Sequence, residues 1–277
     1  MDLSNFTDDL RIAVRAAQEA SEYIYQGFET GYKTTEKGID RGLVTEIDKG
    51  AENLIIKILS AESDHGVIGE EGGSLSGSTG KYWVIDPIDG TSNFVRNIPH
   101  FATAIALMEG SEVLIGVVGN PNHNELYYAE KGKGAFLNGR QLSVSENDHP
   151  AWAIITMEHG RTDRDRKLYT DVIENLKYMY SLRRFGASVI EICQVARGQV
   201  DGFICSGNEL WDFAASSLLV TEAGGKFTDW NGDPWDGTHS FTLLSSNAFF
   251  PQFLEKVSGL QPADAAEERF LDKYLPE

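Results

Sequence analysis

Residues 83–94 of this 277-residue chain read WVIDPIDGTSNF, and no other stretch constrains the fold as much. Trp83-Val84-Ile85 is an unbroken apolar run, the pattern of a buried strand. Asp86 follows at once and is pinned by Pro87, so its carboxylate must lie at the edge of the core. A carboxylate there is costly unless it is paired or bound to a cation. Asp89 comes three positions later across a Pro-Ile kink, close enough for both acids to aim at one point. A ligand set made only of oxygens suits Mg²⁺ or Mn²⁺, and no Cys/His cluster offers a competing zinc site. The strand ends on two acids because they grip a hard cation.

The rest of the chain must build a scaffold around that strand. Asp8 to Gly27 carries Leu10, Ala13, Val14, Ala17, Ala20 and Ile24 at helical spacing, and Glu46 to Leu59 fits a second amphipathic helix. Between them Thr34 to Gly42, TTEKGIDRG, reads as a polar, glycine-bearing loop. Val67-Ile68-Gly69 and Lys81 to Ile85 read as strands. Phe101 to Met108, Val113 to Gly119 and Glu125 to Glu130 then have the spacing of an antiparallel meander. From Trp152 the pattern changes. Strand-like runs (Trp152 to Met157, Gly202 to Cys205, Lys226 to Trp230, Phe241 to Ser245) alternate with helical ones (Asp163 to Tyr180, Ser188 to Arg197, Asp212 to Ala223), which argues for helices layered on a sheet. The expectation is one unit over residues 1–277, with an N-terminal α+β lobe to about residue 145 and a C-terminal α/β lobe from about residue 146.

Two further acids, Glu70 and Asp212, also fall where strands stop or helices start. Each acid has a plain structural reading: Asp89-Gly90 is a turn dipeptide, Asp212 an N-cap, Glu70-Glu71 a solvated pair. Asp86 has none. The six histidines show no ligand or triad spacing, and no G-x-x-x-x-G-K-[ST] loop is present. A net charge of −18 argues against a nucleic-acid backbone as partner, since like charges repel. No apolar run approaches the roughly 18 residues of a membrane helix. The N-terminus has no signal-peptide pattern, and Cys193 and Cys205 have no metal-type spacing. A reduced, cytoplasmic setting is expected.

Three stretches in this order, GEEGG at 69–73, WVIDPIDGTSNF at 83–94 and LWDFAASSLLVTEAGG at 210–225, resemble the signatures of the inositol monophosphatase family. EKGKGAFLNGR at 130–140 fits as well, and the resemblance runs from about residue 8 to residue 250. It implies an α+β fold, the layered αβαβα sandwich of the inositol monophosphatase and fructose-1,6-bisphosphatase type. It also implies a Mg²⁺-dependent, lithium-sensitive phosphomonoesterase. The first substrate is inositol 1-phosphate. Histidinol phosphate, fructose 1,6-bisphosphate and 3′-phosphoadenosine phosphate are the rivals, and a binding protein acting on transcription machinery is the alternative from another class.

By the same resemblance, Glu70, Asp86 and the Ile88 carbonyl hold one Mg²⁺, and Asp86, Asp89 and Asp212 hold a second. A third, weaker ion sits near Glu70, and Mn²⁺ can substitute. Glu70, Thr91 and Asp48 are the catalytic groups, Thr91 orienting water through its bond to Asp48. Asp89, Gly90, Thr91, Ser188, Cys205 and Asp212 line the substrate. Two positions depart from the family pattern. Gly42 stands where an Asp usually precedes the LVT run, and Cys205 stands where inositol-selective members carry a Glu. A thiol is a weak hydrogen-bond partner, so a permissive pocket is expected. The expected partners are a small phosphorylated alcohol and a second copy of the chain, with no nucleic acid and no membrane.

Overall fold

The computed structural model describes residues 2–38, 42–160, 162–177, 181–235, 244–246, 250–257 and 260. Helix α1 (Asp8–Thr30) starts on an N-cap Thr7 whose hydroxyl accepts the Leu10 N–H, with Asp8 and Asp9 in its first turn. Helix α2 (Glu46–Glu62) starts on a capping box in which Thr45 and Asp48 satisfy each other's backbone N–H groups. The expected polar loop between them is instead a hairpin, β1 (Thr34–Gly38) paired antiparallel to β2 (Gly42–Thr45). The β-branched Thr34 and Thr35 face Thr45 and Val44 there, which favours pairing over an open loop. Asp40 and Arg41 lie outside the described residues.

Eight strands form the first sheet: β3 (Gly66–Gly69), β4 (Ser74–Leu75), β5 (Lys81–Asp89), β6 (Ala102–Glu109), β7 (Glu112–Asn120), β8 (Glu125–Glu130), β9 (Ala135–Leu137) and β10 (Arg140–Gln141). Their order is β10-β9-β8-β7-β6-β5-β3-β4, antiparallel from β5 to β10 as the meander predicts, with β3 parallel to β5. Strand β5 runs four residues beyond the expected end at Ile85. Its register against β6 slips between Asp86 and Asp89, a bulge that absorbs Pro87.

The second sheet has the order β12-β11-β13-β15-β14, from β11 (Ile154–His159), β12 (Ser181–Arg183), β13 (Gly202–Ser206), β14 (Lys226–Thr228) and β15 (Leu244–Ser246). Helices α4 (Asp163–Leu176), α5 (Ser188–Ala196), α6 (Leu210–Glu222) and α7 (Phe250–Val257) complete the fold, with the short α3 (Thr91–Val95) after β5. Residues 178–180 of the expected α4 and 241–243 of the expected last strand lie outside the described residues. Strands β4, β9, β10 and β12 and helix α7 were not expected.

Alternating residues of β5 to β8 sort the core into layers. Trp83, Ile85, Ile105 and Val117 pack with α1 and α2, while Tyr82, Val84, Ala104 and Val118 pack with α5 and α6. The second sheet turns Phe203 and Phe227 to the same two helices, and Ile155, Met157 and Ile204 to α4 and α7. The layers run α1/α2, sheet, α5/α6, sheet, α4/α7, the αβαβα sandwich. Gly116 permits the close central contact, since a Cβ there would sit 2.3 Å from the Ala215 carbonyl oxygen of α6. Strand β5 thus ends beside the starts of α5 and α6, between the two sheets.

Candidate active site

Glu70 leaves β3 next to the end of β5, its N–H donating to the Ile85 carbonyl at 3.1 Å. From α2 the buried Glu52 accepts the N–H groups of Glu71 (2.8 Å) and Gly73 (2.9 Å), which holds the loop carrying Glu70. Asp86 and Asp89 come from the bulged end of β5. Asp212 lies in the first turn of α6, and its Oδ2 accepts the Glu209 N–H at 2.8 Å. Glu209, not Asp212, is the N-cap of α6; Asp212 closes the capping box from the third helical position with one oxygen, and the same carboxyl joins the acid cluster. One carboxylate oxygen from each of Asp86, Asp89 and Asp212 lies within 4.8 Å of the others.

This cluster is a burial problem. Asp86 is 2% exposed and Asp89 7%. Burial, and then the nearby charges of Glu70, Asp89 and Asp212, push the Asp86 carboxyl well above its ordinary range. Burial and Asp212 do the same to Asp89, and the Val189 N–H donated to its Oδ2 at 2.9 Å opposes them. Oδ1 of Asp86 is buried with no hydrogen-bond partner. Such an orphaned oxygen is costly unless something cationic meets it.

Thr91 opens α3, and its hydroxyl lies 3.1 Å from Asp48 Oδ1 and 2.9 Å from the Ile88 carbonyl oxygen. Asp48 is fully buried, and its other oxygen accepts the N–H (2.8 Å) and hydroxyl (2.5 Å) of Thr45. Its carboxyl is raised, chiefly by burial, although the Thr45 bonds lower it. Gly90 caps α3 at φ 84°, where a Cβ would sit 2.9 Å from the Ala187 Cβ. Ser188 starts α5, accepts a hydrogen bond from Asn208 Nδ2 at 2.7 Å, and neighbours the Val189 bound to Asp89.

Cys205 lies near the end of β13, beside a small cavity also lined by Met157, Glu158 and Ser206. It is 1% exposed, within the apolar layer that contains Phe203 and Phe213. Burial pushes its thiol up, with Glu158 and Asp212 adding to the effect. Sequence reasoning missed Glu158, Glu191 and Asn208, which all surround the start of α5. Only the pattern of Glu158 offered a signal, because MEH ends a strand on an acid much as VID does.

The comparisons fit this arrangement. The model of the inositol monophosphatase family matches residues 6–261. The Nus factor SuhB of Pasteurella multocida is 38% identical over 254 residues, covering 90% of this chain and 95% of that one. The inositol monophosphatase of Dictyostelium discoideum is 37% identical over 269 residues, covering 93% and 97%. Among solved structures, the extragenic suppressor protein SuhB of Bartonella henselae superposes with a TM-score of 0.85 at 30% identity, covering 91% of this chain and 98% of that one. The Thermotoga maritima inositol monophosphatase gives 0.82 at 30%, covering 92% and 98%.

These names correct one expectation. The exclusion of nucleic acid from the partners does not stand beside relatives named as Nus factors, a name that belongs to the transcription machinery. Net charge bears on direct contact with a phosphate backbone and says nothing of contact through proteins bound to one. No helix among the described residues is long and apolar enough to cross a membrane. With the family model spanning nearly the whole chain and relatives of two names agreeing in length and fold, the chain belongs to the inositol monophosphatase family.

Proposed function

We propose that this chain is a divalent-cation-dependent phosphomonoesterase of small phosphorylated alcohols, with inositol 1-phosphate first among them. The observation that carries the reading is Asp86, whose Oδ1 is buried without a partner inside a cluster of carboxylates. An all-oxygen, strongly anionic donor set fits a hard dication such as Mg²⁺. Glu70, Asp86 and the Ile88 carbonyl would hold one ion and Asp86, Asp89 and Asp212 a second, with a weaker third near Glu70. Such ions acidify water and neutralise charge on phosphoryl oxygens. The acids come from both lobes, so we take residues 1–277 as a single phosphatase unit.

The remaining work falls to the chain. The Thr91 hydroxyl donates toward Asp48 and so leaves its lone pairs to receive an O–H of the attacking water. Asp48, buried and bonded to Thr45, fixes that hydroxyl's orientation. Gly90 and Thr91 bring the backbone at the β5–α3 turn to the phosphate, and Ser188 at the start of α5 faces the alcohol. Lithium should inhibit by competing for a cation position.

A phosphate-release screen over inositol 1-phosphate, histidinol phosphate, fructose 1,6-bisphosphate and 3′-phosphoadenosine phosphate, with and without Mg²⁺, tests the reading. We expect Mg²⁺-dependent, lithium-inhibited release, strongest with inositol 1-phosphate. No Mg²⁺-dependent release from any of the four would sink it. A second reading rests on the 38% identity to a Nus factor, and it gives the chain a role on the transcription machinery. Asp86→Asn separates the two, because it should abolish hydrolysis and leave protein binding intact.

A further inference from the structure

Two buried carboxyl groups beside the site have no place in that chemistry. Glu191, in the first turn of α5, is fully buried. Its Oε1 accepts the backbone N–H groups of Phe185 (3.3 Å), Gly186 (3.0 Å) and Ala187 (3.3 Å). Glu158, near the end of β11, is 8% exposed. Its Oε1 accepts the Gly186 N–H at 2.8 Å and its Oε2 accepts Arg184 Nε at 3.1 Å. Oε2 of Glu191 is buried with no hydrogen-bond partner. Burial, and then the nearby charge of Glu158, pushes the Glu191 carboxyl up to about 8.

The backbone they grip is the strap entering α5. From the other side Asn93 Nδ2 donates to the carbonyls of Phe185 (2.7 Å) and Gly186 (3.4 Å). The strap packs Ala187 against Gly90, then presents Ser188 and the Val189 N–H that binds Asp89 Oδ2 at 2.9 Å. A shift at 185–187 therefore moves the Val189 N–H bound to Asp89 and the packing of the Gly90 turn together.

We propose that Glu158 and Glu191 are a positioning pair, which fixes the 184–187 strap and through it orients Asp89 and Ser188 for cation binding and turnover. This rests on the phosphatase reading for its kinetic consequence, while its consequence for cation affinity is independent of turnover. Glu191→Leu removes the acceptor at similar size. Glu191→Gln keeps an acceptor for the three N–H groups and removes the carboxyl's ability to ionise. Glu158→Ala removes one of the two acceptors of the Gly186 N–H.

The experiment measures Mg²⁺ affinity by titration calorimetry, and kcat and KM on 4-nitrophenyl phosphate, well below each variant's melting temperature. Glu191→Leu should weaken Mg²⁺ binding about tenfold, the scale seen when groups that orient a ligand are lost. It should lower kcat by about tenfold or more with KM less affected, as misplacement does. Glu191→Gln should stay within about threefold of wild type on both readouts, with Glu158→Ala between them. If Glu191→Leu does not fold, Glu158→Ala and Glu191→Gln carry the test on the same readouts. A folded Glu191→Leu or Glu158→Ala with a lower melting temperature but unchanged Mg²⁺ affinity and kcat would reduce the pair to a structural role. Equal damage from Leu and Gln at 191 would overturn the acceptor argument. If the wild type binds Mg²⁺ but hydrolyses nothing, the phosphatase reading fails and the calorimetric comparison still decides the positioning claim.

Discussion

Replacing Asp86 by Asn changes one oxygen to an amide at a position that is 2% exposed. In the cation-free protein the ionised Asp86 faces the charges of Glu70, Asp89 and Asp212, and its Oδ1 has no donor. The amide keeps the shape, removes one charge and adds two N–H groups among acceptors. An unsatisfied buried polar group costs roughly 1–3 kcal/mol, so the cation-free variant should be more stable by about that much. At this chain length each kcal/mol moves the melting temperature by about 2–4 °C, which gives a rise of roughly 2–12 °C in EDTA. Added Mg²⁺ should act the other way. Wild type gains about 2.7 kcal/mol at 100 times the dissociation constant, whereas the variant has lost the ligand shared by both proposed ions and gains less. The EDTA order of stability should therefore shrink or invert with Mg²⁺, while hydrolysis falls by more than ~100-fold, beyond the loss expected from an outer-sphere group. Scanning calorimetry at pH 7.5 in EDTA and in saturating Mg²⁺ reads both effects. A variant no more stable than wild type in EDTA refutes the crowding argument, and an equal Mg²⁺ increment in both proteins refutes Asp86 as a ligand.

Thr91→Val should lower kcat by ~10²-fold or more with little change in KM, if the hydroxyl orients the attacking group as a fixed dipole does; Thr91→Ser should restore most of the rate, and steady-state kinetics on inositol 1-phosphate decides. Cys205→Glu would bury a charge beside Glu158, Asp212 and Glu191, so it should destabilise by ~3 kcal/mol or more. It should bring no gain in kcat/KM for inositol 1-phosphate over glycerol 2-phosphate, and a folded variant that does gain would put residue 205 in contact with the substrate. Glu191 supplies a pH test. Its folded pKa, about 8, lies above the ordinary carboxyl value, so the folded state holds a proton that the unfolded chain has lost. Its contribution is complete below the unfolded pKa near 4.5 and is lost as pH rises toward 8, at up to ~1.4 kcal/mol per pH unit. With Mg²⁺ saturating, urea midpoints at pH 5.5, 6.5 and 7.5 should show Glu191→Gln gaining on wild type as pH rises, and parallel curves would exclude a raised Glu191 carboxyl.

What the sequence discloses about this site depends on the distance over which each requirement acts. Asp86 is legible because its constraint is local: an apolar run, a carboxylate and a proline in succession leave the charge nowhere inexpensive to go. Glu70 and Asp212 needed the family motifs, since a strand-end Glu and a first-turn Asp each have plain structural readings, and Asp212 does complete the capping box of its helix with one oxygen. The hairpin at 34–45 was missed because polar, glycine-bearing sequence looks like loop until Thr34 and Thr35 are set against Thr45 and Val44. The Thr91–Asp48 bond joins residues 43 apart, and the Val189–Asp89 bond joins residues 100 apart. No spacing rule reaches so far. Glu191 is the extreme case. Within SVIEICQVA it reads as a single polar residue on an apolar helix, and nothing nearby says that its acceptor is filled by the N–H groups preceding its own helix. A carboxylate that serves chemistry must face the site, so its neighbours in sequence betray it. Glu191 faces backbone, which every residue has, and so its sequence neighbourhood carries no mark.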